Sequence, residues 1–349
     1  MSSLYRPEHA ASRSLLRAVE AALDGPVPRE WVEALTAVPR HHFLPERIWL
    51  ENGLGGYEPC DLSADHQRWF AEAYFDVPIV TQVNDGEQPG EDVWPSSSAS
   101  APSIVVRMLR DLDVQPGMKV LEIGTGTGWN AALLAHRLGP GRVASVEVNE
   151  NVARQAWANL NAAGLSVELL CGDGSLGWPH QAPYDRVVST CAVRRVPWAW
   201  IEQTEPGGVI LTPWDSPMIP WGLLRLTVAE DHAEGRFSPH SASVLMRNQC
   251  RDLRIFRDIV RDDHRTDEST STFSPHKVTG NSREARFALG LLVPDIWTAW
   301  DSDTDRLWDE VETAYGWWQD QGSPGPERFG LTVTEYTHHA WLDSPDNTL

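Results

Sequence analysis

The chain has 349 residues, 41% of them hydrophobic, enough for one large domain with an appendage or for two domains. Its formal charge is -20, from 29 Lys and Arg against 49 Asp and Glu, and a balance this acidic argues against binding to nucleic-acid phosphates. Cys60, Cys171, Cys191 and Cys250 show no C-x-x-C pairing and the histidines form no H-E-x-x-H, so neither a metal site nor a disulfide framework is expected. The N-terminal stretch shows no apolar core of a signal peptide and no segment approaches eighteen apolar residues, which leads us to expect a cytoplasmic protein with no membrane partner.

The spacing of Leu15, Leu16, Val19 and Leu23 predicts an amphipathic helix over 12–23, stopped by Gly25 and Pro26. A second helix is expected from about Pro28 to Ala37. The stretch 51–103 is dense in Gly, Pro, Asp and Ser and reads as a long irregular loop of functional type. It leads into "KVLEIGTGTGW", Lys119 to Trp129, where a short apolar run meets three closely spaced glycines and then a helical pattern over 129–138. Such a turn brings a ligand against bare backbone. A second strand, over 142–148, carries Glu147 near its end, where an acid can take both hydroxyls of a ribose.

Further strands are expected at about 166–171, 185–190 and 208–212, and helices at 150–163 and 198–204. Asp173 falls at the ligand-binding edge of such a sheet, where it can accept a hydrogen bond from an adenine amino group. "LLRLTVAED" and "SASVLMR", on either side of Glu234-Gly235, read as an antiparallel hairpin. Residues 264–283 are polar and rich in Ser and Thr, as in a linker. A helix is expected over 305–321, with "FGLTVT" and "HHAWLD" as a pair of strands beyond it. The fold class is thus α/β, a doubly wound Rossmann-like sheet with an antiparallel edge hairpin, N-terminal helices and an α+β C-terminal extension. The expected division is 1–249, with an N-terminal helical and substrate part over 1–115 and a core over 116–249, followed by an extension over 250–349.

The pattern E-x-G-x-G-x-G, starting at Glu122, resembles the S-adenosylmethionine (SAM) methyltransferases more than the dinucleotide enzymes, whose G-x-G-x-x-G serves a pyrophosphate. Three stretches then align in order with the protein-L-isoaspartate (D-aspartate) O-methyltransferases. "VPRHHFLPE" resembles the family's N-terminal motif, "AYFDVPI" with "SAPSIV" its substrate segment, and "VLEIGTGTGWNAALLA" with "CGDGSLGWPHQAPYDRVVSTCA" its SAM motifs. The resemblance spans roughly residues 12–248. It implies that Glu122, Gly124, Thr125, Gly126, Gly128, Glu147, Val148, Asp173 and Gly174 contact SAM, with S-adenosylhomocysteine as product. It also implies that Ser100 binds the substrate carboxylate.

Two departures from the family pattern bear on the substrate. The loop between the D-x-P and S-x-P segments is enlarged, and the chain continues well past the edge hairpin. Ser97, Ser98, Asn84 and Asp85 in the enlarged loop are candidates for completing the substrate pocket, with ordinary turn chemistry as the competing explanation. The pattern resembles the branch associated with ribosomal-peptide biosynthesis (graspetide, lanthipeptide or lasso peptide), in which an aspartate of a constrained peptide is methylated and the ester collapses to an aspartimide. The extension over 250–349 is then a candidate for peptide recognition, and a monomer is favoured. General isoaspartate repair is the alternative. A nucleic-acid methyltransferase is disfavoured by acidity and by the lack of an N/D-P-P-Y/F motif, and a silent peptide-binding module by the intact glycine and acid positions.

Overall fold

The computed structural model describes residues 7–53, 55–87, 93–240, 243–250, 280, 282–294 and 304–349. The chain divides into two compact units, Met1–Thr190 with Ala199–Leu211 and Cys191–Trp198 with Thr212–Leu349.

The first unit opens with helices α1 (Pro7–Leu23) and α2 (Arg29–Ala37). Leu15, Val19 and Leu23 of α1 are buried at helical spacing, as are Trp31, Ala34 and Leu35 of α2. The first helix starts earlier than expected, at Pro7, a residue suited to a first helical turn.

The segment expected to be irregular is folded instead. It contains β1 (Arg47–Glu51), β2 (Tyr57–Asp61), the short helix α3 (His66–Glu72), β3 (Ile79–Val83) and β4 (Pro95–Ala99). These strands form a four-stranded antiparallel sheet in the order β2-β1-β3-β4. Each strand spans five residues, too short for alternation to stand out from Pro, Gly and Ser. Pro59 is tolerated because β2 is an edge strand. Helix α4 (Pro102–Leu112) follows, with Pro102 in its first turn and Val105, Val106, Met108, Leu109 and Leu112 buried.

The remainder of this unit is a parallel sheet. It comprises β5 (Val120–Ile123), β6 (Val143–Glu147), β7 (Glu168–Cys171), β8 (Tyr184–Ser189) and β9 (Thr204–Pro213), in the order β9-β8-β5-β6-β7. Strands β5 and β6 are buried along their whole length, the signature of a sheet covered on both faces. Helices α5 (Trp129–Leu138), α6 (Glu150–Ala162) and α7 (Trp198–Glu202) connect the strands. The chain leaves β5 for β6 and β7 on one side and crosses to β8 on the other, so the switch point lies between β5 and β8. The expected Rossmann-like core is borne out.

The second unit carries β10 (Leu223–Val228), β11 (Ala233–Ser238), helices α8 (Arg283–Leu292) and α9 (Thr304–Asp320), β12 (Phe329–Val333) and β13 (His338–Leu342). The strands run in the order β13-β12-β11-β10, each antiparallel to its neighbour. Phe287 of α8 packs edge-on between Phe237 and Phe329, with centroids 5.1 and 6.0 Å away. The expected pairing of "FGLTVT" with "HHAWLD" is present as β12 and β13. The described part of the expected hairpin partner "SASVLMR", residues 243–247, does not pair with β10. The strand that pairs with β10 is "AEGRFS", closed by Ala229 N–H donating to the His232 carbonyl at 2.8 Å. Gly235 lies inside that strand rather than at its turn, where the Arg225 carbonyl oxygen leaves no room for a Cβ. Residues 264–279, most of the expected linker, lie outside the described residues. Among the described residues no helix is long and apolar enough to cross a membrane.

Candidate functional site

The glycine turn sits at the C-terminal end of β5, beside the switch point. Gly124, Gly126 and Gly128 have φ of 88°, 54° and 86°. Only glycine holds such a run of left-handed backbone at little cost. Gly128 packs against α6, where a Cβ would stand in van der Waals contact with Ala156 and Leu160. The turn is pinned to β6 through Gly124 N–H and Thr125 N–H, both donating to the Val146 carbonyl. From the β8 side, the Thr190 hydroxyl donates to the Gly124 carbonyl.

Two acids organise this turn from different depths. Glu122 is fully buried beneath it; Ser145 Oγ donates to its carboxylate at 2.5 Å and Asn130 Nδ2 at 2.7 Å. The Thr125 and Ser145 hydroxyls lie 2.6 Å apart and extend the network into the turn. Burial pushes the Glu122 carboxyl up to about 7, against the pull of those two hydrogen bonds. Glu147, at the end of β6, accepts from Gly126 N–H at 3.0 Å through one oxygen and from Asn149 N–H at 3.0 Å through the other. Each carboxylate oxygen retains a further acceptor direction. Asp173, after β7, accepts from Ser175 N–H at 2.9 Å and is exposed. A Cβ at its neighbour Gly174 would come 2.6 Å from Ile123 Cγ2, so a side chain there would force a shift. Val148, next to Glu147, and Leu176, three residues after Asp173, are exposed apolar side chains. Leu176 was not among the expected site residues, because a single leucine in a polar stretch carries no periodic signal.

The substrate segment comes to the same turn. Strand β4 carries Ser97 and Ser98, and a Cβ on Gly126 would lie 3.8 Å from the Ser98 carbonyl oxygen. Ser97 Oγ accepts from the Thr81 hydroxyl at 3.2 Å. Ser100 follows β4, just ahead of α4, and its carbonyl accepts from Arg40 at 3.0 Å. The Ser100 hydroxyl makes no hydrogen bond among the described residues. Asn84 and Asp85 lie in the turn after β3, with φ of 48° and 56°. Asn84 Oδ1 accepts from Trp94 N–H at 2.9 Å, and Asp85 N–H donates to Ser96 Oγ at 3.0 Å. Both therefore help close the connection between β3 and β4.

The N-terminal motif is stapled to the turn as well. Trp129 Nε1 donates to the Val38 carbonyl at 2.9 Å. Asn159 Nδ2 bridges the carbonyls of Phe43 and Thr127 at 3.1 and 3.0 Å. Arg40, Asp76, Ser145, Asn130 and Asn159 were given no role from the sequence. Arg40, Asp76 and Asn130 lie inside the recognised motifs, whereas Ser145 and Asn159 act from positions that only the folded register brings together.

Residues 66–220 match the family model described as protein-L-isoaspartate(D-aspartate) O-methyltransferase. The protein-L-isoaspartate O-methyltransferase of Methanosarcina mazei is 35% identical over 211 residues, covering 60% of this chain and 73% of that one. The enzyme of the same name from Methylorubrum extorquens is 32% identical over 243 residues, covering 69% of this chain and 91% of its own. This chain belongs to the protein-L-isoaspartate O-methyltransferase family. A solved structure of that name aligns over 95% of this chain and all of its own, with a TM-score of 0.61 and 21% identity, which supports the fold. The chain is accordingly a SAM-dependent O-methyltransferase. The residues fit that cofactor: the turn offers backbone without side chains, and two acids that can accept hydrogen bonds stand at the ends of β6 and β7.

Proposed function

We propose that this enzyme methylates the free carboxylate of an isoaspartyl residue in peptides and proteins. The observation that carries this reading is the approach of β4 to the glycine turn, with the Ser98 carbonyl beside Gly126 and the unspent Ser100 hydroxyl just beyond. Glu122, Gly124, Thr125, Gly126, Gly128, Glu147, Val148, Asp173 and Gly174 hold SAM in this reading. Glu147 takes the ribose, Asp173 the adenine amino group, and Val148 with Leu176 offers apolar faces to the ring. Bound SAM supplies an electrophilic methyl on a sulfonium.

The protein's work is positioning and drying. A carboxylate is already ionised at neutral pH, since its ordinary pKa is about 4, so no general base is needed. Ser100 donates to one carboxylate oxygen and leaves the other free to attack, while Ser97 and Ser98 line the approach. A new O–CH3 bond forms as the S–CH3 bond breaks. The negative and positive charges cancel in the products, so a water-poor site favours the reaction. Holding the reactants in register can supply several kcal/mol of the rate enhancement, of about 7 or more in the best cases. The backbone nitrogen that follows then attacks the ester and expels methanol, closing the five-membered imide.

A second reading is favoured by the built-up β3–β4 hairpin in the substrate segment. Here the substrate is one L-aspartate in a ribosomally made, macrocyclic precursor peptide, and the aspartimide is the product rather than a repair intermediate. The C-terminal extension alone does not favour it, since an isoaspartate methyltransferase fold aligns over 95% of the chain.

Replacing Ser100 tests the site under either reading. Ser100→Ala is expected to cut methyl transfer by about tenfold or more, the scale of a lost charge-assisted hydrogen bond, with SAM affinity unchanged by calorimetry. Unchanged turnover would remove Ser100 from the site.

A further inference from the structure

The corner that holds Ser100 is organised by a buried cation from the N-terminal motif. Arg40 is almost wholly buried in the turn after α2, and its guanidinium reaches carbonyls of two other segments. Nη1 donates to Phe75 O at 3.2 Å, and Nη2 lies 3.0 Å from each of the carbonyl oxygens of Val77, Ala99 and Ser100. The Arg40 Cζ lies 5.6 Å from the centre of the Trp129 ring. Burial draws its pKa down to about 10 and the nearby Asp76 charge opposes the fall, so it is a cation at neutral pH.

Asp76 completes the arrangement. It sits between Phe75 and Val77, whose carbonyls Arg40 holds, and its carboxylate accepts from Ser103 N–H at 2.7 Å. Ala101, the residue at the N-cap of α4, makes no side-chain cap of its own, so Asp76 supplies that cap from another segment. Ser100 is thereby fixed from both sides, its own carbonyl on Arg40 and the amide three residues later on Asp76. A buried charge is costly, and apolar residues would serve packing alone. The guanidinium gathers these carbonyls through its two terminal nitrogens, three at Nη2 and one at Nη1, and it keeps its charge on burial more readily than a lysine ammonium.

We propose that Arg40, with Asp76 as its counterpart, is a positioning residue that sets the Ser100 hydroxyl for carboxylate recognition. It acts through Ser100 and not through cofactor binding, and it rests on the reading of Ser100 given above. The Ser100 hydroxyl is placed by the backbone on either side of it, and that backbone is anchored by this pair. In a chain of net charge -20 the same cation also places positive charge beneath the point where an anionic substrate arrives.

The test is a double-mutant cycle on the full chain, with an isoaspartyl peptide as substrate. Arg40→Lys and Asp76→Ala are each made alone and with Ser100→Ala. Each single variant is expected to lose about tenfold or more in kcat/KM with SAM affinity within about twofold of wild type. In the Ser100→Ala background each is expected to cost less than about twofold more, because the hydroxyl it positions is gone. Full, additive losses in that background would overturn the proposal, as would wild-type kcat/KM in Arg40→Lys. Should Arg40→Lys not fold, the Asp76 arm decides by the same criterion. Hydrogen exchange provides a readout that needs no substrate: Asp76→Ala is expected to speed exchange over 100–105 and leave 120–147 unchanged. Unchanged exchange over 100–105 would overturn the proposal. If Ser100→Ala alone keeps full activity, the Ser100 reading itself fails; if it loses activity but the cycle is additive, only the role of Arg40 and Asp76 fails.

Discussion

Glu147 and Gly126 are joined across the mouth of the glycine turn: the Gly126 amide donates to Glu147 Oε2 at 3.0 Å, while Glu147 Oε1 takes the Asn149 amide at the same distance. The acid proposed to receive the ribose is therefore also the group that shapes the turn. Glu147→Ala frees both amides and removes the ribose acceptor, so SAM affinity is expected to fall by about tenfold or more, the scale of one or two charged hydrogen bonds. Calorimetric titration with SAM measures this, and an affinity within twofold of wild type would contradict it.

Glu122 gives the protein a particular pH response. Its carboxyl is raised from 4.5 to about 7 chiefly by burial. Between those values the folded state holds a proton that the unfolded state has released, so this group's contribution to stability falls as pH rises through the window and levels off above it. The full contribution is on the order of 3 kcal/mol, at about 1.4 kcal/mol per pH unit. Glu122→Gln is expected to flatten that part of the profile, read as denaturant midpoints from pH 4.5 to 7. Parallel profiles for the two proteins would show that Glu122 is ionised throughout.

Asn159 makes a test of the staple between the N-terminal motif and the turn. Its amide satisfies the carbonyls of Phe43 and Thr127, both held in buried bonds. Asn159→Leu leaves those two acceptors without their donor and is expected to lower stability by about 2–6 kcal/mol, on a cost of about 1–3 for each group. Thermal or denaturant unfolding measures the loss.

The part of this architecture that could be read from the chain is the part held together locally. Val120 to Gly128, the helix after it and the strand ending in Glu147 are contiguous, and their apolar runs and glycines report the backbone they form. The antiparallel sheet before them could not be read in the same way. β1 reaches β3 across an intervening strand and helix, through pairing of Trp49 with Val80, and no local pattern announces such a contact. The hairpin of β10 was visible only by half. "AEGRFS" buries just Ala233 and Phe237, so the apolar "SVLM" further on competed for the same place. At the site, glycines and acids were legible because each is unusual where it stands. Arg40 was not, because a buried arginine looks the same in sequence as an exposed one.

Gly174 offers a check on the packing of the turn after β7. A methyl there would press against Ile123 at the end of β5, the strand that carries the glycine turn. Gly174→Ala is expected to cost about 1–3 kcal/mol of stability and to weaken SAM binding with it, as overpacking does against the branched carbon of a stiff side chain such as Ile123. Unfolding midpoints and SAM titration on the same preparation test both effects.

The most direct measurement is methyl transfer to a matched pair of peptides, identical except that one carries isoaspartate where the other carries aspartate. With SAM present, the isoaspartyl peptide is expected to gain a base-labile methyl ester and then close to the succinimide, across several unrelated sequences, while the aspartyl peptides stay unmodified. Failure on every isoaspartyl peptide, with methylation of an aspartate in one constrained peptide, would contradict the repair assignment and leave the dedicated-peptide reading standing.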